Sequence, residues 1–260
     1  MTTTVARLDD YPFELASELR DAANEHGYRI GPEQAAGWLF FRSATAPGEI
    51  ALAATAAGMA GPFFLSVGHP GAARELGAVQ ADKCAKGHAA AFIFSSREAL
   101  FEGVNSVYRL SMSLPTLPYE DFLRETAQLG NTEKEQALKI RIGQDRFRDA
   151  LMSYWKGSCP LTGISNPELL RASHIIPWAK CESDQERLNV HNGLLLSSLW
   201  DAAFDSGLVT YDEWGRVIAS PYLDDRAKRQ LGIDLAPQLH LTGEHLIRLD
   251  WHRRTIWQSE

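Results

Sequence analysis

Cysteine is scarce: Cys84, Cys159 and Cys181 are the three in a chain of 260 residues. No two form a CxxC pair, so neither a disulfide framework nor a cysteine-built structural zinc is expected, and packing must hold the fold. Long apolar runs are missing too. The longest stretch without a formal charge, Ile50 to Ala73, carries Thr55, Gly58, Gly61, Pro62, Gly68 and Pro70, a poor match to the ~20 apolar residues of a bilayer helix. No membrane span is predicted. The N-terminus, MTTTVARLDDYPFE, turns acidic before any apolar run begins, unlike a secretory signal, so a cytoplasmic location is expected. Positive charge is not in excess either: 26 Lys and Arg stand against 33 Asp and Glu, a formal net charge of −7. That balance argues against a protein that coats nucleic acid through bulk charge, but leaves room for a local basic surface.

What remains is an ordinary globular composition, 45% hydrophobic, 10% aromatic and 23% charged, which excludes bulk disorder. The length suits two small domains or one large one. Leu15, Leu19 and Ala22 or Ala23 fall at helical spacing within 13–26, and Gly27 is placed to end that helix. Apolar runs at 37–43, 48–55, 61–71 and 89–96, parted by Gly and Pro, read as strands of one sheet. A helix capped by Ser95 or Ser96 follows, with Leu100, Phe101, Val104, Val107 and Leu110 on its apolar face. The Leu114–Pro118 stretch is the strongest break in the chain. From Glu133 the chain reads as a helical connector carrying Arg141, Arg146 and Arg148, and the part beyond Asn131 is the richer in cations.

The informative segment is 159–220, where a strand-like run holding His174 leads through a polar loop to Asn192, then to a second strand and a short helix. The order is β, β, α. It contains ASHI at 172–175, NGLLL at 192–196 and FDSG at 204–207. These motifs resemble those of the HNH endonuclease superfamily, over roughly 160–220 and more weakly back to 132. The chain reads as α+β: an N-terminal α/β module over 1–115, a linker over 116–131 and, as the resemblance implies, a C-terminal ββα-metal nuclease domain over 132–260.

By the same resemblance, His174 is the general base and Asn192 the residue that holds the strand geometry and orients the imidazole or the metal shell, with Gly193 fitting a tight turn. The third motif position, usually His, is Asp201, a harder oxygen ligand that favours Mg²⁺ or Mn²⁺ over zinc. Asp205, four residues on, shares its helix face and joins it as a ligand or a partner of one. The position before the base, often an acidic ligand or His, is Ser173, whose hydroxyl binds metal weakly. Arg171, Lys180, Arg146 and Arg148 are the candidate contacts to double-stranded DNA. Breaking both strands needs two cuts, which a homodimer would supply.

Blander readings attach to several of these residues. SLWD at 198–201 fits a capping box, which would employ Asp201 without metal. Arg216 or Arg171 could compensate Asp205 at the end of its helix as well as a cation could. Asn192-Gly193 is a common turn pair, strand alternation puts His191 on the surface, and DEWG at 212–215 reads as a hairpin turn. Trp178 and Trp200 read as core or hinge aromatics, and His252, Arg253 and Arg254 as a solvated basic face. The layout resembles modification-dependent restriction endonucleases, in which an N-terminal reader of modified bases precedes an HNH domain. A reader that flips a base needs an aromatic pocket, for which Trp38, Phe40, Phe41, Phe63, Phe64 and Phe92 are available, though a plain sheet core explains them too.

Overall fold

The computed structural model describes residues 10–259, so most of the N-terminal stretch read for a secretory signal lies outside the described residues. The chain divides after Met112 into two compact units.

In the first unit, α1 (Phe13–Glu25) turns Leu15, Leu19, Ala22 and Ala23 inward, the stripe expected of a helix with one buried face. Five strands follow: β1 (Ile30–Ala35), β2 (Trp38–Arg42), β3 (Glu49–Ala54), β4 (Phe63–Val67) and β5 (Ala90–Phe94). They pair in consecutive order and antiparallel throughout. A short helix, α2 (Pro70–Glu75), sits between β4 and β5, and α3 (Arg97–Ser113) follows β5. Ser96 Oγ accepts the Ala99 N–H at 3.2 Å near the start of α3. Strand alternation separates the six aromatics considered for a base pocket. Trp38 and Phe64 share one face with Ala51, Ala53 and Ala91, with Phe40 packed against them. Phe41, Phe63 and Phe92 are buried in register on the other face. A two-sided core accounts for them, and they do not line one pocket.

The second unit opens with α4 (Thr116–Thr126), where the sequence suggested a linker. Two prolines prompted that reading, yet Pro115 caps the helix and Pro118 falls in its first turn, where a missing N–H loses no intrahelical bond. Helix α5 (Glu133–Tyr154) is closed at its start by a reciprocal Thr132–Glu135 capping box and buries Gly143, Phe147, Ala150 and Leu151.

Strand β6 (Leu170–His174) then leads through a long loop, containing the one-turn helix α6 (Asp184–Arg187), to β7 (Gly193–Ser197). The two strands are antiparallel, with His174 opposite Gly193 and Ser173 opposite Leu194. Strand β7 runs directly into α7 (Ser198–Asp205), which completes the ββα order. A two-stranded ribbon, β8 (Val209–Tyr211) with β9 (Val217–Ala219), turns through Asp212–Gly215 as the sequence suggested. Helices α8 (Asp225–Leu231) and α9 (Gly243–Thr255) end the fold. Among the described residues no helix is long and apolar enough to cross a membrane.

Candidate active site

Neighbouring residues of a strand point to opposite faces, and β6 uses this at its C-terminal end. His174 turns to α5, where its ring stacks on Phe147 with centroids 3.8 Å apart and planes 18° from parallel. Ser173 turns to α7, where its hydroxyl donates to Asp205 Oδ1 at 3.3 Å. Since His174 is the last residue of β6, the two faces meet at that end of the hairpin.

The Nε2 atom of His174 lies 2.9 Å from the backbone oxygen of Arg187. A carbonyl only accepts, so Nε2 carries the proton and Nδ1 keeps the lone pair. Burial pushes the imidazole pKa down to about 4, against a smaller opposing effect of the carbonyl. The ring is therefore neutral at neutral pH, the form a general base requires. Trp178 meets it edge-on at 5.6 Å. Gly193 does not make a turn here: its backbone is extended, φ −154° and ψ 156°. A Cβ at Gly193 would run into the Phe147 ring and the Leu151 side chain, so the missing side chain makes room for the residue that stacks on the base.

Asn192 is wholly buried, in a 3₁₀ turn ahead of β7. Its Oδ1 accepts the Ile176 N–H at 2.8 Å, and its Nδ2 donates to the Ile176 oxygen at 3.1 Å and to Cys181 Sγ at 3.3 Å. The amide thus fixes the strand-to-loop corner beside His174. No part of the Asn192 side chain reaches solvent. His191 corrects an expectation: it is buried, edge-on to Tyr154 and His245, because the 3₁₀ turn replaces the strand alternation that would have exposed it.

On the other face, Ser173, Asp201 and Asp205 converge. Partial burial raises the Asp201 pKa, with the Ser173 hydroxyl and the Arg171 charge opposing. It raises that of Asp205 as well, and the neighbouring Asp201 charge adds to the rise. The capping role for Asp201 is not found. Ser197 is the N-cap, without a side-chain bond, and Ser198 Oγ donates instead to the Leu169 oxygen at 3.1 Å. Burial disfavours both carboxyls as anions, and the Ser173 hydroxyl partly offsets this for each. Among the described residues no group of three or more His, Cys, Asp or Glu is placed to hold a metal ion of any kind.

The four candidate DNA-contacting cations fare differently. Arg146 is paired in a fork with Glu125. Arg148 donates to the backbone oxygens of Leu170 at 2.9 Å and Pro167 at 2.7 Å, tying α5 to the start of β6. Internal partners thus occupy both. Arg171 is exposed and bonds to the carbonyls of Glu168 and Leu170, while Lys180 is exposed within the loop between β6 and β7. The solvated basic face expected of the C-terminus is partly internal. His252 is buried against Thr210 and the Phe204 oxygen, and Arg253 donates to the Tyr211 oxygen at 2.7 Å.

Sequence reasoning missed Phe147, which shares a buried stripe of α5 with Gly143 and Leu151 and could have been found from that spacing. It also missed the Arg187 carbonyl, a backbone group that no side-chain pattern announces.

A comparison with known families finds a match over this part of the sequence. Residues 159–211 match the HNH endonuclease family, and this segment belongs to that superfamily. The match takes in His174, Asn192, Asp201 and Asp205 and none of the first unit. No curated protein matches the chain.

Proposed function

We propose that the protein is a metal-dependent endonuclease that hydrolyses phosphodiester bonds of double-stranded DNA, directed to its target by the N-terminal unit. The observation that carries this reading is the end of β6. There a neutral imidazole with a free Nδ1 lone pair adjoins a hydroxyl that faces two cation-seeking carboxyls.

In the reaction, His174 Nδ1 accepts the proton of the attacking water, and Nε2–H hands part of the new charge to the Arg187 carbonyl. Asn192 keeps the corner rigid while this happens. A divalent cation, Mg²⁺ or Mn²⁺, held by Asp201 and Asp205 with Ser173, would neutralise charge on the phosphoryl and leaving oxygens. Arg171 and Lys180 contact the phosphates on either side.

The two-unit layout supports a restriction or defence enzyme, in which the first unit reads a sequence or a base modification and the second cuts. A double-strand break then takes two such sites, as in a homodimer acting inside the cell. The test is cleavage, with Mg²⁺ or Mn²⁺, of paired plasmids with unmodified or with methylated or hydroxymethylated bases. Cutting of the modified plasmid alone supports both halves of the reading. Cutting of both plasmids keeps the nuclease and removes the modified-base reader.

One observation favours a second reading, an HNH fold kept for binding DNA without cutting it. Ser173 stands where a stronger ligand would complete the shell, and the carboxyls number only two. Binding of both plasmids with no cleavage under either metal would decide for it.

A further inference from the structure

The loop between β6 and β7 owes its shape to a second side chain besides Asn192. Arg187 lies at the end of α6 with its side chain about three-quarters covered (24% exposed). Its Nε donates to the Trp178 oxygen at 3.1 Å, one terminal nitrogen to the Cys181 oxygen at 2.8 Å, and the other to Asp184 Oδ1 at 2.8 Å. The guanidinium also lies over the Trp178 ring, 5.8 Å from its centroid, and Trp178 in turn meets the His174 imidazole. Each of the three nitrogens of the planar fork thus makes one bond to the loop that crosses beside the base. The backbone oxygen of this same residue accepts Nε2–H of His174.

We propose that Arg187 is a positioning residue for His174: its side chain clamps the loop so that its own carbonyl stays at Nε2, which locks the imidazole in the tautomer that presents the Nδ1 lone pair. The inference rests on the nuclease reading for its consequence in catalysis, but not for the tautomer itself. The chemistry favours arginine over lysine. A guanidinium offers several donors in one rigid plane, and the two carbonyls and the carboxylate lie around that plane. An ammonium is a point donor on a flexible stem and cannot hold all three. Without the clamp, the carbonyl drifts, Nε2–H loses its acceptor, and the neutral ring divides between tautomers. Partners that orient an imidazole in this way typically matter about 10–100-fold.

The test uses the full chain with ¹⁵N-labelled histidine, comparing the wild type with Arg187→Ala and Arg187→Lys. Two-bond ¹H–¹⁵N spectra assign the His174 tautomer, checked by its loss in His174→Ala, and plasmid cleavage gives kcat and KM. The wild type is expected to hold the Nε2–H form. Arg187→Ala should mix the tautomers and lower kcat about 10–100-fold with KM within a few fold, Arg187→Lys should fall between, and added methylguanidine should restore part of the Arg187→Ala rate. An unchanged tautomer in folded Arg187→Ala would overturn the proposal, as would a raised KM at unchanged kcat, which would make Arg187 a DNA contact. If Arg187→Ala does not fold, Arg187→Lys decides by the same spectrum. If the wild type cleaves nothing, the nuclease reading fails, while the spectra still decide whether Arg187 sets the tautomer.

Discussion

The two faces of the β6–β7 hairpin solve different problems within a few residues of each other. The face toward α5 is apolar and tightly fitted: Phe147 and Leu151 crowd Gly193, and His174 is stacked and largely covered. The face toward α7 is polar and under electrostatic tension, with two carboxyls and a hydroxyl drawn together against burial and repulsion. Packing encloses an imidazole on one side, and two carboxyls stay partly buried together on the other. An imidazole must be neutral to accept a proton, and burial keeps it neutral at the expense of its basicity, whereas carboxyls must be ionised to hold a metal and are opposed by burial. Placing Ser173 and His174 at consecutive positions of one strand turns one toward the carboxyls of α7 and the other toward α5, so each has its own environment.

The contrast can be broken most severely at the base. His174→Ala is expected to lower cleavage by about 10²–10⁴-fold and to leave DNA affinity within a few fold, because proton transfer contributes to the transition state and not to binding. Cleavage kinetics beside a gel-shift titration will check this, and equal activity would remove His174 from the mechanism.

On the polar face, Asp201→Asn should raise the Mg²⁺ concentration needed for cleavage by about 10–100-fold. The same change should raise the melting temperature slightly. Folding lifts the Asp201 pKa above its unfolded value, so the ionised carboxyl weakens the fold at neutral pH, and a neutral amide removes that penalty. The wild type should gain stability on adding Mg²⁺ and the variant should gain less, which melting curves with and without the metal will measure.

A substitution confined to the apolar face sharpens the comparison further. Gly193→Ala pushes a methyl into Phe147 and Leu151 and should cost about 1–3 kcal/mol of stability, while the metal dependence of any remaining cleavage stays unchanged. Denaturant titration gives the first quantity and a Mg²⁺ series the second.

Acid acts on buried histidines outside the site. Burial lowers the pKa of His252 to about 4 and that of His245 to about 3. The unfolded chain, with histidines near 6.5, then binds more protons than the folded one across the interval between those values. Their contribution is complete above about pH 6.5 and declines as pH falls toward 4. His252→Gln should flatten the slope of stability against pH in that window.

Much of the architecture was legible because its signals are local. Four of the five sheet strands carry dense apolar runs, and the ββα order follows from the spacing of His174, Asn192 and Phe204-Asp205. Strand β1 was not legible, since Ile30–Ala35 reads IGPEQA and is almost wholly exposed, so no hydrophobic alternation marks it. Helix α4 was hidden by prolines that stop a helix in its middle but not in its first turn. At the site, the residue types were legible and their surroundings were not. Nothing in ASHI tells that His174 and Ser173 meet different helices, that Gly193 is small for the sake of Phe147, or that Arg146 and Arg148 already have partners within the chain.

Cys181 lies buried in the corner that Asn192 holds, its sulfur accepting from the amide and its thiol facing the Ile176 oxygen. Burial also raises its pKa, so little of it is thiolate. Cys84 is exposed. A single alkylating reagent, followed by mass spectrometry, therefore carries its own clock: Cys84 marks the moment of mixing, and each later label on Cys181 counts one breath of the loop beside the base.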